Sequence, residues 1–160
     1  MEDLVAIIRP SGPRRAFAIA LLAAMAFLLL YLAFTMPPED FLWQAFLVAV
    51  GLGSVYLAFR FRNATRSTLE LRDGVLSDSA GMTLCTLDEI VAVERGTFAF
   101  KPSNGFLLVL REKKSGHWSP GLWWRMGRRV GVGGVVPSGA SKFMAEMIAL
   151  KLAERERGEG

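Results

Sequence analysis

The chain begins with two long apolar runs without a charged residue, Ala16 to Thr35 and Phe41 to Phe59, separated by Met36 to Asp40. The runs contain twenty and nineteen residues. Because a helix rises about 1.5 Å per residue, each run forms a helix about 30 Å long, which matches the hydrocarbon core of a bilayer. The pattern predicts a transmembrane helical hairpin over residues 16–59.

A cleaved signal peptide is the competing interpretation of the first run. The apolar region of a signal peptide spans about 7–15 residues and ends at a small-residue cleavage site. Here the run is longer and leads into Pro37-Pro38 and a second apolar run. These features favour the hairpin.

Positive charge flanks the predicted hairpin and is absent from its turn. Arginines occupy both flanks: Arg9, Arg14 and Arg15 precede the first run, and Arg60, Arg62 and Arg66 follow the second. The turn carries Glu39 and Asp40. The positive-inside rule therefore predicts that both termini are cytoplasmic, with residues 1–15 forming a cytoplasmic N-terminal segment.

Small residues recur every four positions in both runs, a spacing that lets helix backbones approach closely in lipid. We expect the helices to pack through Ala16, Ala20 and Ala24 on the first and Ala45, Ala49 and Gly53 on the second. The alternative is that alanine is simply common here, and both interpretations stay open. Neither run holds an ionisable residue, which disfavours a transporter or proton channel.

Residues 67–157 have a different pattern, with short alternating or apolar segments separated by turn residues. Alternation around Asp73-Gly74 predicts a β-hairpin, and a continuous apolar run at Phe106 to Leu110 predicts a buried strand. Further short strands are expected at residues 82–87, 90–95, 97–101, 122–126 and 130–136, with a loop over residues 112–121. Helical spacing of apolar residues predicts an amphipathic C-terminal helix from about Ser138 to Arg157.

This order of elements gives an α+β fold and resembles the pleckstrin-homology (PH) fold. The residues that carry the resemblance are Leu69-x-Leu71-x-Asp73-Gly74-Val75-Leu76, the segment from Leu87 to Val93, and the segment from Gly105 to Leu110. They are similar to bacterial PH-like domains that follow paired transmembrane helices. The resemblance implies an antiparallel PH-like sheet or barrel over residues 67–157, capped by the C-terminal helix, in a multi-pass protein of the bacterial cytoplasmic (inner) membrane.

The charge and composition limit the classes of partner that the chain is expected to bind. The 160-residue chain has a net charge of +4 and a pI near 9.6. Beside transmembrane helices, this positive charge suggests contact with the bilayer and its anionic lipids, and not with nucleic acid. A single cysteine excludes an internal disulfide, and a single histidine excludes a His-rich metal site. We expect no cofactor and no metal.

The segment from Arg111 to Arg129 combines cations with tryptophans and contains one acid, Glu112. Such a mixture suits lipid headgroups or a protein interface. The candidate contact residues are Arg111, Lys113, Lys114, Trp118, Trp123, Trp124, Arg125, Arg128 and Arg129. The alternative is that one or two of the tryptophans fill the sheet core while the arginines are solvated.

No motif assembles a nucleophile, a base and an oxyanion site, so the sequence predicts no enzyme. Gly131 to Gly134 is glycine-rich but lacks the ending of a P-loop. The leading prediction is a membrane-anchored, non-catalytic interaction module that docks a protein partner or forms a homo-oligomer. Anionic-lipid sensing through residues 111–129 is the alternative, as is an accessory subunit of a membrane complex.

Overall fold

A computed structural model describes residues 4–95 and 103–158, which form two compact units. One unit comprises residues 12–63, and the other combines residues 4–11 with the described residues between 64 and 158. The helical unit holds α1 (Gly12–Thr35) and α2 (Phe41–Ala64). The α+β unit holds β1 (Leu4–Ile8), β2 (Leu69–Arg72), β3 (Val75–Asp78), β4 (Thr83–Thr86), β5 (Ile90–Glu94), β6 (Phe106–Ser119), β7 (Trp123–Val132) and α3 (Ser138–Gly158).

Both helices of the first unit are long and apolar enough to cross a membrane. In each helix, 11% of the most apolar 18-residue stretch is buried inside the protein. The core helix of a soluble protein is mostly buried. Asp40 caps α2, because its Oδ1 accepts the Leu42 N–H at 2.9 Å. The helices are therefore compatible with the predicted transmembrane hairpin.

The two helices meet through residues other than the predicted small stripes. Gly51 is buried against Leu30, since a Cβ added at Gly51 would lie 2.8 Å from the Leu30 side chain. The Gln44 amide donates to the Ala33 carbonyl at 3.0 Å. Ala26 and Ser54 are buried as well. The six residues expected to pack are all exposed in the helical unit: Ala16, Ala20, Ala24, Ala45, Ala49 and Gly53.

The second unit contains an N-terminal strand that the sequence analysis does not predict. Strand β1 pairs antiparallel with β2, with Ile8 opposite Leu69. A four-stranded sheet follows in the order β1-β2-β3-β4. The chain thus leaves this sheet after β1, forms the whole helical unit, and returns to the same sheet at β2.

The predicted hairpin around Asp73-Gly74 is confirmed. Strands β2 and β3 flank a two-residue turn in which Asp73 has φ 48° and Gly74 has φ 76°. Positive φ at both central residues is typical of a type I′ turn, which matches the twist of the flanking strands.

Of the predicted sheet or barrel, the antiparallel pairing is confirmed and closure into a barrel is not, because the described strands form two open sheets. Strands β5, β6 and β7 make a separate three-stranded sheet. Between β4 and β5 the chain makes a 3-10 turn at Leu87–Glu89. Glu89 fixes this turn by accepting the Thr86 N–H at 2.8 Å. The first sheet ends with β4 at this turn, and β5 belongs to the second sheet.

The loop expected at residues 112–121 is also wrong, because β6 continues to Ser119 and pairs with a single long β7. Register shifts interrupt this pairing on both sides of Lys114. These irregularities break the two-residue alternation by which the rest of β6 could have been recognised. The strand predicted at residues 97–101 lies outside the described residues.

The predicted C-terminal helix is confirmed as α3. It buries one face against the sheets through Ser141, Met144, Ala145 and Ile148. At its end, the Arg155 guanidinium donates to the carbonyls of Leu87 at 3.0 Å and Ile90 at 3.3 Å. Arg155 therefore ties the C-terminal end of α3 to the 3-10 turn and to the start of β5.

Candidate functional site in the β6–β7 hairpin

The basic and aromatic segment forms the β6–β7 hairpin, and its side chains divide between two faces. Cross-strand pairs bring His117 opposite Arg125 and Trp118 opposite Trp124. Trp123 is 1% exposed and Arg125 9% exposed, so both lie on the inward face. The predicted site is therefore split into a buried set and an exposed set.

Trp123 is a core residue that connects the two sheets. Its indole Nε1 donates to Asp78 Oδ2 on β3 at 3.2 Å. The His117 ring stacks on the indole with centroids 4.7 Å apart. Asp78 Oδ1 accepts the N–H groups of Ala80 at 3.0 Å and Met82 at 3.1 Å. These bonds satisfy the polar groups of a buried tryptophan and a buried carboxylate.

Arg125 also connects the sheets, from β7 to β4. Its Nη1 donates to the carbonyls of Thr83 at 3.0 Å and Leu84 at 2.9 Å. Its Nε donates to the Ser115 carbonyl at 2.8 Å, and Nη2 to the Ser115 hydroxyl at 3.2 Å. The planar guanidinium fork reaches all these acceptors at once. Arg125 is consequently occupied inside the fold and is not a surface contact.

Two further predicted cations have acidic neighbours. Lys114 Nζ lies 2.8 Å from Glu89 Oε2. Desolvation opposes ionisation of Glu89, but the hydrogen bonds from Lys114 and the Thr86 N–H outweigh it and lower the pKa of the carboxyl. Arg111 lines a small groove together with Asp88 and Glu112. Lys114 is thus paired with Glu89, whereas Arg111 shares a groove with two acidic residues.

Four exposed residues of the hairpin, Trp118, Met126, Arg128 and Arg129, are together called the hairpin patch. Trp118 is 54% exposed and Met126 73% exposed. Both arginines are exposed, and Arg129 pairs in register with Val109. Lys113 is exposed on β6, next to the Lys114–Gly127 pair that also adjoins Arg128.

Trp124 is half-buried, and the glycine-rich run explains its position. A side chain at Gly131 would collide with the Trp124 indole. Gly134 has φ 126°, and a Cβ there would lie 2.5 Å from the Gly121 carbonyl oxygen. The run from Gly131 to Gly134 therefore makes room for the indole and for the tip of the hairpin.

Cys85 is buried on β4 in the core. Burial, aided by the negative charge of Glu89, raises the pKa of its thiol from 9.0 to about 12. The unfolded chain releases this proton at its ordinary pKa, whereas the folded unit keeps it. The contribution to stability is full below pH 9.0 and is lost as the pH rises towards about 12.

We expect the free energy of unfolding to fall by about 1.4 kcal/mol more in the natural protein than in a Cys85→Ala variant between about pH 8 and pH 10. Urea unfolding of both proteins at the two pH values measures this difference. Equal losses in the two proteins, or fast alkylation of the folded thiol at the lower pH, would contradict the burial of Cys85.

Met126 on the exposed face and Asp78 beside the buried face were not among the residues predicted from the sequence. Trp123 and Arg125 alternate with Trp124 and Met126, so the two-residue period could have separated the sets. The two-residue period alone could not show which of the two sets of side chains faces the core. Within residues 4–95 and 103–158, no group of three or more His, Cys, Asp or Glu side chains is placed to hold a metal ion.

Comparison with known proteins adds no relative: no protein-family model, no curated protein and no solved structure matches the chain.

Proposed function

We propose that this protein is a membrane-anchored, non-catalytic interaction module. The α1–α2 helical hairpin anchors the chain, and the α+β unit presents the hairpin patch at the cytoplasmic face. One observation carries the proposal: β1 and β2, the strands on either side of the helical hairpin, are paired neighbours in one sheet. An even number of spans returns the chain to the side from which it left, as this pairing requires.

The cytoplasmic orientation is supported by charge. The arginines at the two outer flanks of the helical hairpin contrast with Glu39 and Asp40 in its turn. Translocating the acidic turn and retaining the basic flanks follows the positive-inside rule. The α+β unit would then lie in the cytoplasm.

A PH-like origin in a bacterial inner membrane is part of the proposal. Antiparallel strands followed by a C-terminal helix support it. The additional N-terminal strand and the two open sheets are departures from the expected pattern.

A docking function is favoured over catalysis by the positions of the reactive side chains. The single histidine stacks on Trp123, and the single cysteine is buried with a raised pKa. In contrast, Trp118, Met126 and two arginines are exposed, and these residue types are enriched at protein interfaces. Three classes of partner fit such a surface at the membrane face: another protein, a second copy of the chain, and anionic lipid.

The anchoring can be tested by labelling single cysteines in intact cells. In a Cys85→Ser background, we expect Asp40→Cys to react with a membrane-impermeant maleimide. Lys142→Cys, on the exposed side of α3, should react only after the cells are permeabilised. The background protein should stay unlabelled in both conditions.

Labelling of Lys142→Cys in intact cells would place the α+β unit outside and overturn the orientation. Recovery of the full chain in the soluble fraction without detergent would overturn the anchor itself.

A further inference from the structure

We propose that the hairpin patch docks onto the anionic phospholipid headgroups of the bilayer that holds the helices. This inference rests on the proposed function and names the partner of its docking surface. The patch is defined by Trp118, Met126, Arg128 and Arg129, and it excludes the buried Trp123 and Arg125.

The charged side chains around the hairpin patch are almost all positive. Between Glu112 and Glu146 the sequence contains no acidic residue and six cations. Lys114 pairs with Glu89, and Arg125 is buried, which leaves Arg128, Arg129 and Lys113 as exposed cations of the hairpin. In the part of the chain that the structure describes, no carboxylate lies within ion-pair distance of these three. Their complement is an anionic surface.

Two exposed apolar side chains of the hairpin, Trp118 and Met126, accompany these cations. Trp118 has an amphipathic ring that suits the headgroup level, where its indole contacts both the apolar and the wet layer. Met126 is flexible and apolar and is 73% exposed, which is a cost to solubility in water. Arginine beside exposed tryptophan and methionine matches an anionic bilayer surface in both charge and polarity.

The connections between the helical hairpin and the α+β unit are short. Three residues, Arg9 to Ser11, separate β1 from α1, and four, Thr65 to Thr68, separate α2 from β2. Four extended residues cover at most about 14 Å. A unit behind an inserted helical hairpin therefore remains close to the headgroups, and docking loses little translational freedom. Weak contacts are then sufficient, as in other linked binding events.

The exposed side of α3 does not share this character. Phe143 and Leu150 are both about half exposed, but charges of both signs surround them, including Lys142, Glu146 and Glu154. A mixed surface gains little at an anionic bilayer. Exposed cations of α3 consequently provide a matched control.

Quenching of tryptophan fluorescence by brominated lipid chains tests the proposal on the full chain in vesicles. The signal of Trp118 is the difference between a Trp43→Phe protein and a Trp43→Phe/Trp118→Phe protein. We expect this signal to be quenched in phosphatidylcholine vesicles that contain phosphatidylglycerol, and much less in phosphatidylcholine alone. Added salt should reduce the quenching, because screening weakens attraction between exposed charges.

Removing positive charge from the hairpin patch should weaken docking, and removing the same charge from α3 should not. Arg128→Gln with Arg129→Gln is expected to lower the ratio of docked to undocked protein about 30-fold, which corresponds to about 1 kcal/mol for each cation near an anionic surface. Lys142→Gln with Arg157→Gln removes the same charge from α3 and should change the ratio less than twofold, about 0.4 kcal/mol.

Three results would overturn the proposal: no Trp118-dependent quenching in either lipid, equal quenching in both lipids with no effect of the Arg128 and Arg129 substitutions, or photocrosslinking of residue 118 to a protein in place of lipid. Trp43, retained in a Trp118→Phe protein, reports separately on the helical hairpin. If Trp43 is not quenched, the anchor itself fails. If Trp43 is quenched and Trp118 is not, only the lipid contact fails.

Discussion

Replacing Arg125 with alanine is expected to lower the free energy of unfolding of the α+β unit by about 2–3 kcal/mol. The guanidinium donates to the carbonyls of Thr83, Leu84 and Ser115; the bond to Leu84 is buried and the other two are partly buried. Each buried acceptor left without a donor costs about 1–3 kcal/mol. Urea unfolding of the full chain in detergent, followed by tryptophan fluorescence, measures the loss.

Arg128→Ala is the matched control for this prediction, because Arg128 is exposed on the same strand. It should change the free energy of unfolding by no more than about 0.5 kcal/mol. Arg125→Lys should stay strongly destabilising, since one ammonium cannot replace a planar fork that serves several acceptors. If Arg125→Ala and Arg128→Ala are equally mild, Arg125 does not hold the sheets together.

The different roles of Arg125 and Arg128 affect how any binding experiment on the hairpin is interpreted. A variant of Arg125 that loses a partner would do so because the sheets separate, and not because a contact is missing. Only the exposed residues of the hairpin patch can report on docking itself. Arg125 and Arg128 are close in sequence, but the side chain of Arg125 is buried and that of Arg128 is exposed. Their roles therefore differ.

Several elements could be predicted from sequence because their signals are local. The two helices of the helical unit follow from uninterrupted apolar runs, and α3 follows from one periodic face. The β2–β3 turn follows from Asp73-Gly74, since few other pairs accept positive φ at both positions. In these cases neighbouring residues alone determine the structure.

Other features depend on residues far apart in the chain and could not be predicted in this way. The separation into two sheets depends on a 3-10 turn at Leu87–Glu89 and on which strands find each other. The direction of Trp123 depends on Asp78, which lies 45 residues earlier. Packing between α1 and α2 depends on Gly51 meeting Leu30, which the four-residue spacing of alanines does not reveal. Registers and partners of this kind are set by tertiary contacts.

Strand β1 is the element whose removal should matter most for the architecture proposed here. Ile8 is 0% exposed and belongs to the core cluster, opposite Leu69 on β2. We expect Ile8→Ala to lower the free energy of unfolding by about 2–5 kcal/mol, because it deletes buried methyl groups and leaves a cavity. Urea unfolding in detergent measures this effect, and hydrogen exchange of the β2 amides should increase in parallel.

Leu4 lies on the same strand but is 47% exposed, so Leu4→Ala is the control and should cost less than about 1 kcal/mol. Equal effects at Leu4 and Ile8, or fast exchange at β2 in the natural protein, would mean that β1 does not pair as described. The argument that the chain returns to one sheet after the helical hairpin would then lose its support. A large and selective effect at Ile8 would instead show that a segment at the beginning of the chain completes a domain encoded after α2, and that the helical hairpin is an insertion within that domain.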